Sequence, residues 1–368
     1  MLPLESLHIH RFRGLVDVEL PALGRFNVLV GRNNSGKTTI LEAIATHARP
    51  LRPSEWVDVV RRRDVTSSHA ALIEGLRWLS PQPIGQDLSA STPLQGSTSI
   101  SGAGSFVVRE STARFREVEG FFDETDEGGQ LPLLMHDESA TRRGLELRME
   151  ARIEGKQERE SVSATLWERR RGPIMQNLGG PSLPVATITP FSHRVQQIEV
   201  EALSDALFVD LKPTVLELVR IFDPEIEDFE ILKRPRSEPA VYMRHARLGK
   251  APLSSFGDGM RRVLLMCVSV AMVRGGILLV DEIESAIHVE ALDASFRWLQ
   301  RACRQLDVQL FTTTHSLEAV DALLAAAEGA ADVVLYRLER KDGKARAKRF
   351  SHESLRVLRE ELGQEIRA

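Results

Sequence analysis

The sequence predicts an α/β fold in which strands alternate with helices around a mostly parallel sheet covered on both faces. An apolar strand, Phe26-Asn27-Val28-Leu29-Val30, runs into a glycine-rich loop and then a helical stretch from Thr39. A second apolar run, Ile277-Leu278-Leu279-Val280, ends in Asp281-Glu282. Around this run, apolar residues recur at helical spacing. Met260, Val263, Leu264, Cys267, Val270 and Ala271 stripe one stretch, and Leu292, Phe296, Leu299 and Cys303 the next.

In chain order, Leu7 and Ile9 share one face, Arg13-Gly14 turns, and Val16, Val18 and Leu20 alternate again, which predicts a β-hairpin ahead of the loop. Residues 1–50 then form the N-terminal lobe with the glycine-rich loop. Residues 51–190 differ in texture and are expected to be an insertion of strands and flexible loops. Residues 80–105 are rich in Ser, Pro, Gly, Thr and Gln and predict an exposed loop, and 122–130 an acidic one. Strands are expected near 106–116, 144–154, 160–168 and 184–190. Residues 191–368 form the C-terminal lobe, with a helix over 259–274, strands over 277–280 and 308–314, a hairpin around Lys341-Asp342-Gly343-Lys344 and a final helix from 352. No sustained heptads appear.

At 368 residues the chain has room for one large domain with an insertion, or for two domains. Its 42% hydrophobic and 27% charged residues are those of an ordinary soluble protein. No apolar run reaches membrane-spanning length and the N-terminus lacks a signal pattern, so the expected compartment is the cytoplasm, with no membrane partner. Cys267 and Cys303 fall in apolar helical patterns and are expected to be buried small hydrophobes. A net charge of −4 gives no global attraction to nucleic acid, which leaves local patches such as Arg61-Arg62-Arg63, Arg142-Arg143 and Arg169-Arg170-Arg171.

The chemistry concentrates in four places. Gly31-Arg32-Asn33-Asn34-Ser35-Gly36-Lys37-Thr38 satisfies the phosphate-loop pattern, with strand before and helix after. Glycines let successive N–H groups point at phosphate oxygens, and the helix N-terminus behind them, at Thr39, adds partial positive charge. Lys37, the only lysine in the first 155 residues, supplies a compact ammonium for the β- and γ-phosphates of ATP. Thr38 supplies a hydroxyl for Mg²⁺. Asp281 and Glu282 emerge at the C-terminal end of a buried strand, where α/β sheets place ligands. Asp281 is the expected Mg²⁺ partner and Glu282 the group that orients or deprotonates the attacking water. His315 ends the next strand, Phe311-Thr312-Thr313-Thr314, where it can contact the γ-phosphate. Ser254, Ser255 and Gly257 lie in a turn opening an amphipathic helix, a pattern that makes an anion site.

In this order the four elements resemble the ABC-type ATPase head, over roughly residues 1–50 and 200–340. The resemblance implies ATP and Mg²⁺ as ligands and ATP hydrolysis as the activity. It also implies a homodimer formed on ATP binding, in which Ser254, Ser255 and Gly257 of one head face the γ-phosphate held by the other. Ser285-Ala286-Ile287-His288 would be the dimer-contact loop. The signature departs from the usual Leu-Ser-Gly-Gly-Gln, and Gln82, Gln86, Gln196 and Gln197 remain alternatives for the glutamine loop. The opening Ile9-His10-Arg11-Phe12-Arg13-Gly14, the phosphate loop, Gly257-Asp258-Gly259 and Asp281-Glu282-Ile283-Glu284 are similar to stand-alone ATPases related to the overcoming-lysogenization-defect proteins. That group includes ATPase subunits of anti-phage defence systems, and its members often carry a C-terminal Toprim nuclease. Only 53 residues follow His315, which implies that any nuclease is a separate effector subunit. DNA is a further candidate partner. Other ATPase classes considered are a RecF-like DNA-repair ATPase, the ATPase subunit of an ABC transporter, and an ATP-binding switch with little turnover.

Overall fold

The structure is a computed structural model. It describes all residues except 64–68, 83–94, 122–140, 168–173, 176–178, 196–210, 234–237, 328–331, 342–343 and 358–368. β1 (Ser6–Phe12) and β2 (Leu15–Leu20) form a hairpin, and β3 (Phe26–Gly31) leads through the phosphate loop into α1 (Lys37–Ala48). Two helices follow, α2 (Pro53–Arg61) and α3 (His69–Arg77). Next come β4 (Gln95–Ala103), β5 (Val108–Phe121), β6 (Thr141–Ile153), β7 (Glu160–Trp167), β8 (Ile174–Met175) and β9 (Val185–Ile188). After a short α4 (Ser192–Val195) and α5 (Lys212–Phe222) comes a meander of β10 (Ile226–Leu232), β11 (Ala240–His245) and β12 (Gly249–Pro252). The chain then runs through α6 (Asp258–Met272), β13 (Ile277–Val280), α7 (Val289–Gln305), β14 (Gln309–Thr313) and α8 (Leu317–Ala325). A hairpin of β15 (Val333–Lys341) and β16 (Lys344–Ser351) precedes α9 (His352–Arg356).

The central sheet has six strands in the order β16-β15-β3-β14-β13-β9. All its pairings are parallel except β15 with β16. Its side chains alternate between two cores, as the pleat requires. Val28, Val30, Leu278, Val280 and Leu310 face one core with α5, α6 and α7. Leu29, Ile277, Leu279, Phe311 and Tyr336 face the other. A seven-stranded antiparallel sheet, β2-β1-β4-β5-β6-β7-β8, closes that second core.

Helix α1 lies between the two sheets and touches strands of both. This explains why nearly all of it is buried, with Ala43, Ala45 and Ala48 allowing close approach. His47 is fully enclosed there, with Nδ1 2.8 Å from Ser111 Oγ, and burial pushes its pKa down to about 4. Cys267 and Cys303 are free and buried.

The region 51–190 differs from the sequence expectation in two respects. Residues 95–103, inside the expected loop 80–105, are strand β4, paired with both β1 and β5. Serine and glycine conceal the alternation, yet Thr98 and Ile100 point into the core. The strands β4–β7 also extend the N-terminal hairpin into one sheet, and β9 forms the edge of the central sheet beside β13. The segment is woven into both sheets. The expected acidic loop at 122–130 lies outside the described residues.

Candidate nucleotide site

The phosphate loop connects β3 to α1 through three left-handed or unusual backbone positions, Gly31 (φ 143°), Asn34 (φ 61°) and Gly36 (φ 105°). A side chain at Gly31 would come within 2.6 Å of the Leu338 carbonyl oxygen on the adjacent strand. One at Gly36 would meet Leu15 Cδ2 at 2.6 Å. Both positions therefore require glycine. Arg32, Asn33 and Asn34 are exposed at the tip, while Ser35 is buried with its Oγ lacking a hydrogen-bond partner. An orphaned buried hydroxyl inside a curl of glycine-rich backbone suits an anionic ligand.

Lys37 is buried at the base of the loop, and its Nζ donates to the carbonyls of Gly31 (2.8 Å) and Arg32 (3.1 Å). Burial lowers its pKa, against the opposing pull of Asp281, Glu282 and Glu284. Thr39 is buried one residue beyond Thr38. Behind the loop, Glu42 of α1 is gripped by two guanidinium groups. Arg13 Nε reaches its Oε2 at 2.7 Å, and Arg63 Nε reaches its Oε1 at 2.6 Å. Arg63 Nη2 also donates to Thr39 Oγ1 at 3.1 Å.

Strands β13 and β14 bring the acidic residues to the loop. Thr38 Oγ1 donates to the Asp281 carboxylate, 3.0 Å from Oδ2 and 3.2 Å from Oδ1, across 243 residues of sequence. Thr313 Oγ1, at the end of β14, donates to Asp281 Oδ1 at 2.5 Å and accepts the Glu282 N–H at 2.8 Å. Glu282 has φ 48°, a left-handed conformation that costs a non-glycine residue of order 1–3 kcal/mol. Such strain gathers at sites whose side chain must be aimed. The backbone N–H of His315 donates to Glu284 Oε1 at 2.9 Å, while Glu284 Oε2 is buried without a partner. The donor set suits a hard divalent cation at Thr38 and Asp281, since both offer oxygen.

Ser254 and Ser255 occupy a single 3₁₀ turn, Leu253–Ser255, and Gly257 caps the N-terminus of α6. All three are exposed. Among the described residues none of them is hydrogen-bonded to the phosphate loop of its own chain. A side chain at Gly259 would approach the Ala286 carbonyl at 2.7 Å, so the start of α6 lies against the loop that follows Glu282.

Sequence reasoning assigned no role to Arg262. Its guanidinium is buried and donates to the carbonyls of Thr189 (2.6 Å), Asp281 (2.9 Å) and Glu282 (2.8 Å). It thus ties α6 to the ends of β9 and β13. Burial pushes its pKa down to about 10, against the pull of the three nearby carboxylates. Of the glutamine candidates, Gln82 bonds to the carbonyls of Arg77 and Ser80. Gln86, Gln196 and Gln197 lie outside the described residues.

The fold, with the phosphate loop between β3 and α1, is a P-loop NTPase fold of the ABC-ATPase head type. A solved structure titled as the SmcHead bound to the C-winged helix domain of ScpA superposes with a TM-score of 0.50 at 12% identity, covering 96% of this chain and 99% of that one. Residues 194–321 match a family model described as an AAA domain, putative AbiEii toxin, Type IV TA system, and residues 6–46 a second AAA-domain model. The chain belongs to the same family as the uncharacterized protein MJECL11 of Methanocaldococcus jannaschii, which is 33% identical over 114 residues, 30% of this chain and 98% of that protein. The DNA replication and repair protein RecF of Proteus mirabilis is 34% identical over 100 residues, 26% of each chain. The chain thus spans about a quarter of the length of that RecF.

Proposed function

We propose that the protein is an Mg²⁺-dependent ATP hydrolase that works as a pair of heads and gates a DNA-related assembly. The observation that carries this reading is the Thr38–Asp281 contact, which joins the phosphate loop to the strand bearing the second carboxylate, Glu282. Lys37 holds an ammonium beside the loop for the terminal phosphates. Thr38 and Asp281 would hold Mg²⁺. A bound cation there would supply neutralisation of charge on the phosphates. Glu282 takes a proton from the attacking water. His315 contacts the γ-phosphate region.

The exposure of Ser254, Ser255 and Gly257, and their lack of hydrogen bonds to their own phosphate loop, supports a role facing a second copy. The assembly we favour is an anti-phage defence system with a separate effector, by likeness of the motifs to the overcoming-lysogenization-defect group. A second reading, a RecF-like DNA-repair ATPase, is favoured by the 34% identity over 100 residues to RecF. Light scattering on Glu282→Gln tests the paired-head reading. Adding Mg²⁺ and ATP should double its mass, and Ser255→Arg in the same chain should keep it monomeric. A variant that binds ATP and stays at monomer mass removes the paired-head reading.

A further inference from the structure

The basic clusters visible in the sequence are largely neutralised where the structure describes them. Arg62 pairs with Glu55 at 2.7 Å and Arg63 with Glu42, while Arg61 and Arg143 each lie about 4 Å from a carboxylate. Arg169-Arg170-Arg171 lies outside the described residues. A different set of arginines, scattered in sequence, is gathered by the register of the seven-stranded sheet. Arg11 stands opposite Ser99, Ser97 opposite Arg114, and Arg114 opposite Arg148. On β5, Ala113 and Phe115 point into the core, so Arg114 and Arg116 point outward.

These residues line an open groove of about 880 Å³. Arg11, Arg114, Arg116 and Arg148 face it with Gln95 and Ser97, and Glu146 is the only carboxylate among the described residues of its lining. Arg116 is paired with Glu146, and Arg148 with Glu150 at 3.1 Å. Arg11 and Arg114 are exposed and have no carboxylate partner among the described residues. Like charges directly opposite on neighbouring strands destabilise a sheet. In the Arg114–Arg148 pair this repulsion is offset in part by Glu150 on Arg148, and an anion at Arg114 would offset the rest.

We propose that this groove is a binding site for the phosphodiester backbone of double-stranded nucleic acid. With Glu146 and Glu150 set against the four arginines, an excess of two positive charges remains on an open face, which calls for a polyanion. Guanidinium, amide and hydroxyl donors are the groups that contact phosphate and sugar. A protein partner would need an apolar anchor at the centre of the contact. The groove's aromatic residue, Phe115, is instead buried in the core. The same burial leaves no ring among the described lining residues for unstacked bases, which favours a duplex over a single strand. Recognition through phosphates alone is independent of sequence.

The groove is distinct from the nucleotide site, so its test needs no nucleotide, and either proposal can fail without the other. The test measures binding of a 30-base-pair duplex to the full chain by fluorescence anisotropy across a salt series. The Arg11→Gln/Arg114→Gln variant is run alongside, with its melting temperature as the check on folding. The variant should bind on the order of tenfold more weakly, with the slope of log K against log salt reduced by about two, one for each lost phosphate contact. It should also melt no lower than the parent, because a like-charge clash has been relieved. Unchanged affinity and slope in the folded variant overturn the proposal. So does tighter binding of a polyglutamate chain than of duplex at equal salt, which would assign the groove to an acidic protein.

Discussion

Arg262 and Glu282 meet through a single hydrogen bond, from guanidinium to backbone carbonyl, and each breaks a local rule. Glu282 adopts a left-handed backbone that an isolated chain avoids. Arg262 buries a cation in a helix otherwise filled with Val263, Leu264 and Val268. Its three carbonyl acceptors lie at the ends of β9 and β13, where the sheet ladder stops. The pairing is reciprocal, since the strand ends need a donor and the guanidinium needs acceptors. Arg262→Ala should therefore lower unfolding stability by about 2–4 kcal/mol, because it leaves buried carbonyls unsatisfied. Denaturant titration measures this. A loss below about 1 kcal/mol would mean that water replaces the guanidinium. The sequence displays Arg261-Arg262 side by side and does not say which one turns inward. That depends on carbonyls supplied by strands elsewhere in the chain.

Among the elements, those defined by local chemistry were legible. The phosphate loop announces itself because glycine is required where a side chain would strike Leu338 or Leu15. Strand β13 matches its apolar run, Ile277–Val280. Strand β4 was not legible, because Ser97, Ser99 and Ser101 read as loop and its strand character comes from pairing on both sides. Helix α1 shows its helical start but not its setting between two sheets, which is what buries His47. That setting has a consequence for acid stability. The pKa of His47 is about 4 in the fold against an ordinary 6.5. Above pH 6.5 both folded and unfolded chains hold it neutral. Between 6.5 and 4 only the unfolded chain takes up the proton, so stability is lost as pH falls through this window. The loss should total about 3 kcal/mol. Unfolding measured at pH 7 and pH 4.5 should show a steeper decline in the wild type than in His47→Gln. Equal declines would contradict the burial of a neutral imidazole.

For the molecule as a whole, function depends on contacts between distant parts of the chain. Thr38 and Asp281 meet across 243 residues because β3 and β13 flank β14 in one parallel sheet. The sequence pointed to both residues through their motifs, and only the strand order put them within hydrogen-bonding distance. The groove arginines had no motif, and register alone assembles them. Two cores share the central sheet, so the site lies at the strand ends where helix α1, the start of α6 and the acidic strand converge. The activity we propose for this convergence is ATP hydrolysis with Glu282 as the base. Steady-state hydrolysis with Mg²⁺, compared between the wild type and Glu282→Gln, tests it most directly. The wild type should turn over ATP, and the variant should be slower by roughly 10²-fold or more while still binding ATP, as loss of general-base assistance requires. Equal turnover in the two proteins would contradict the assignment of Glu282.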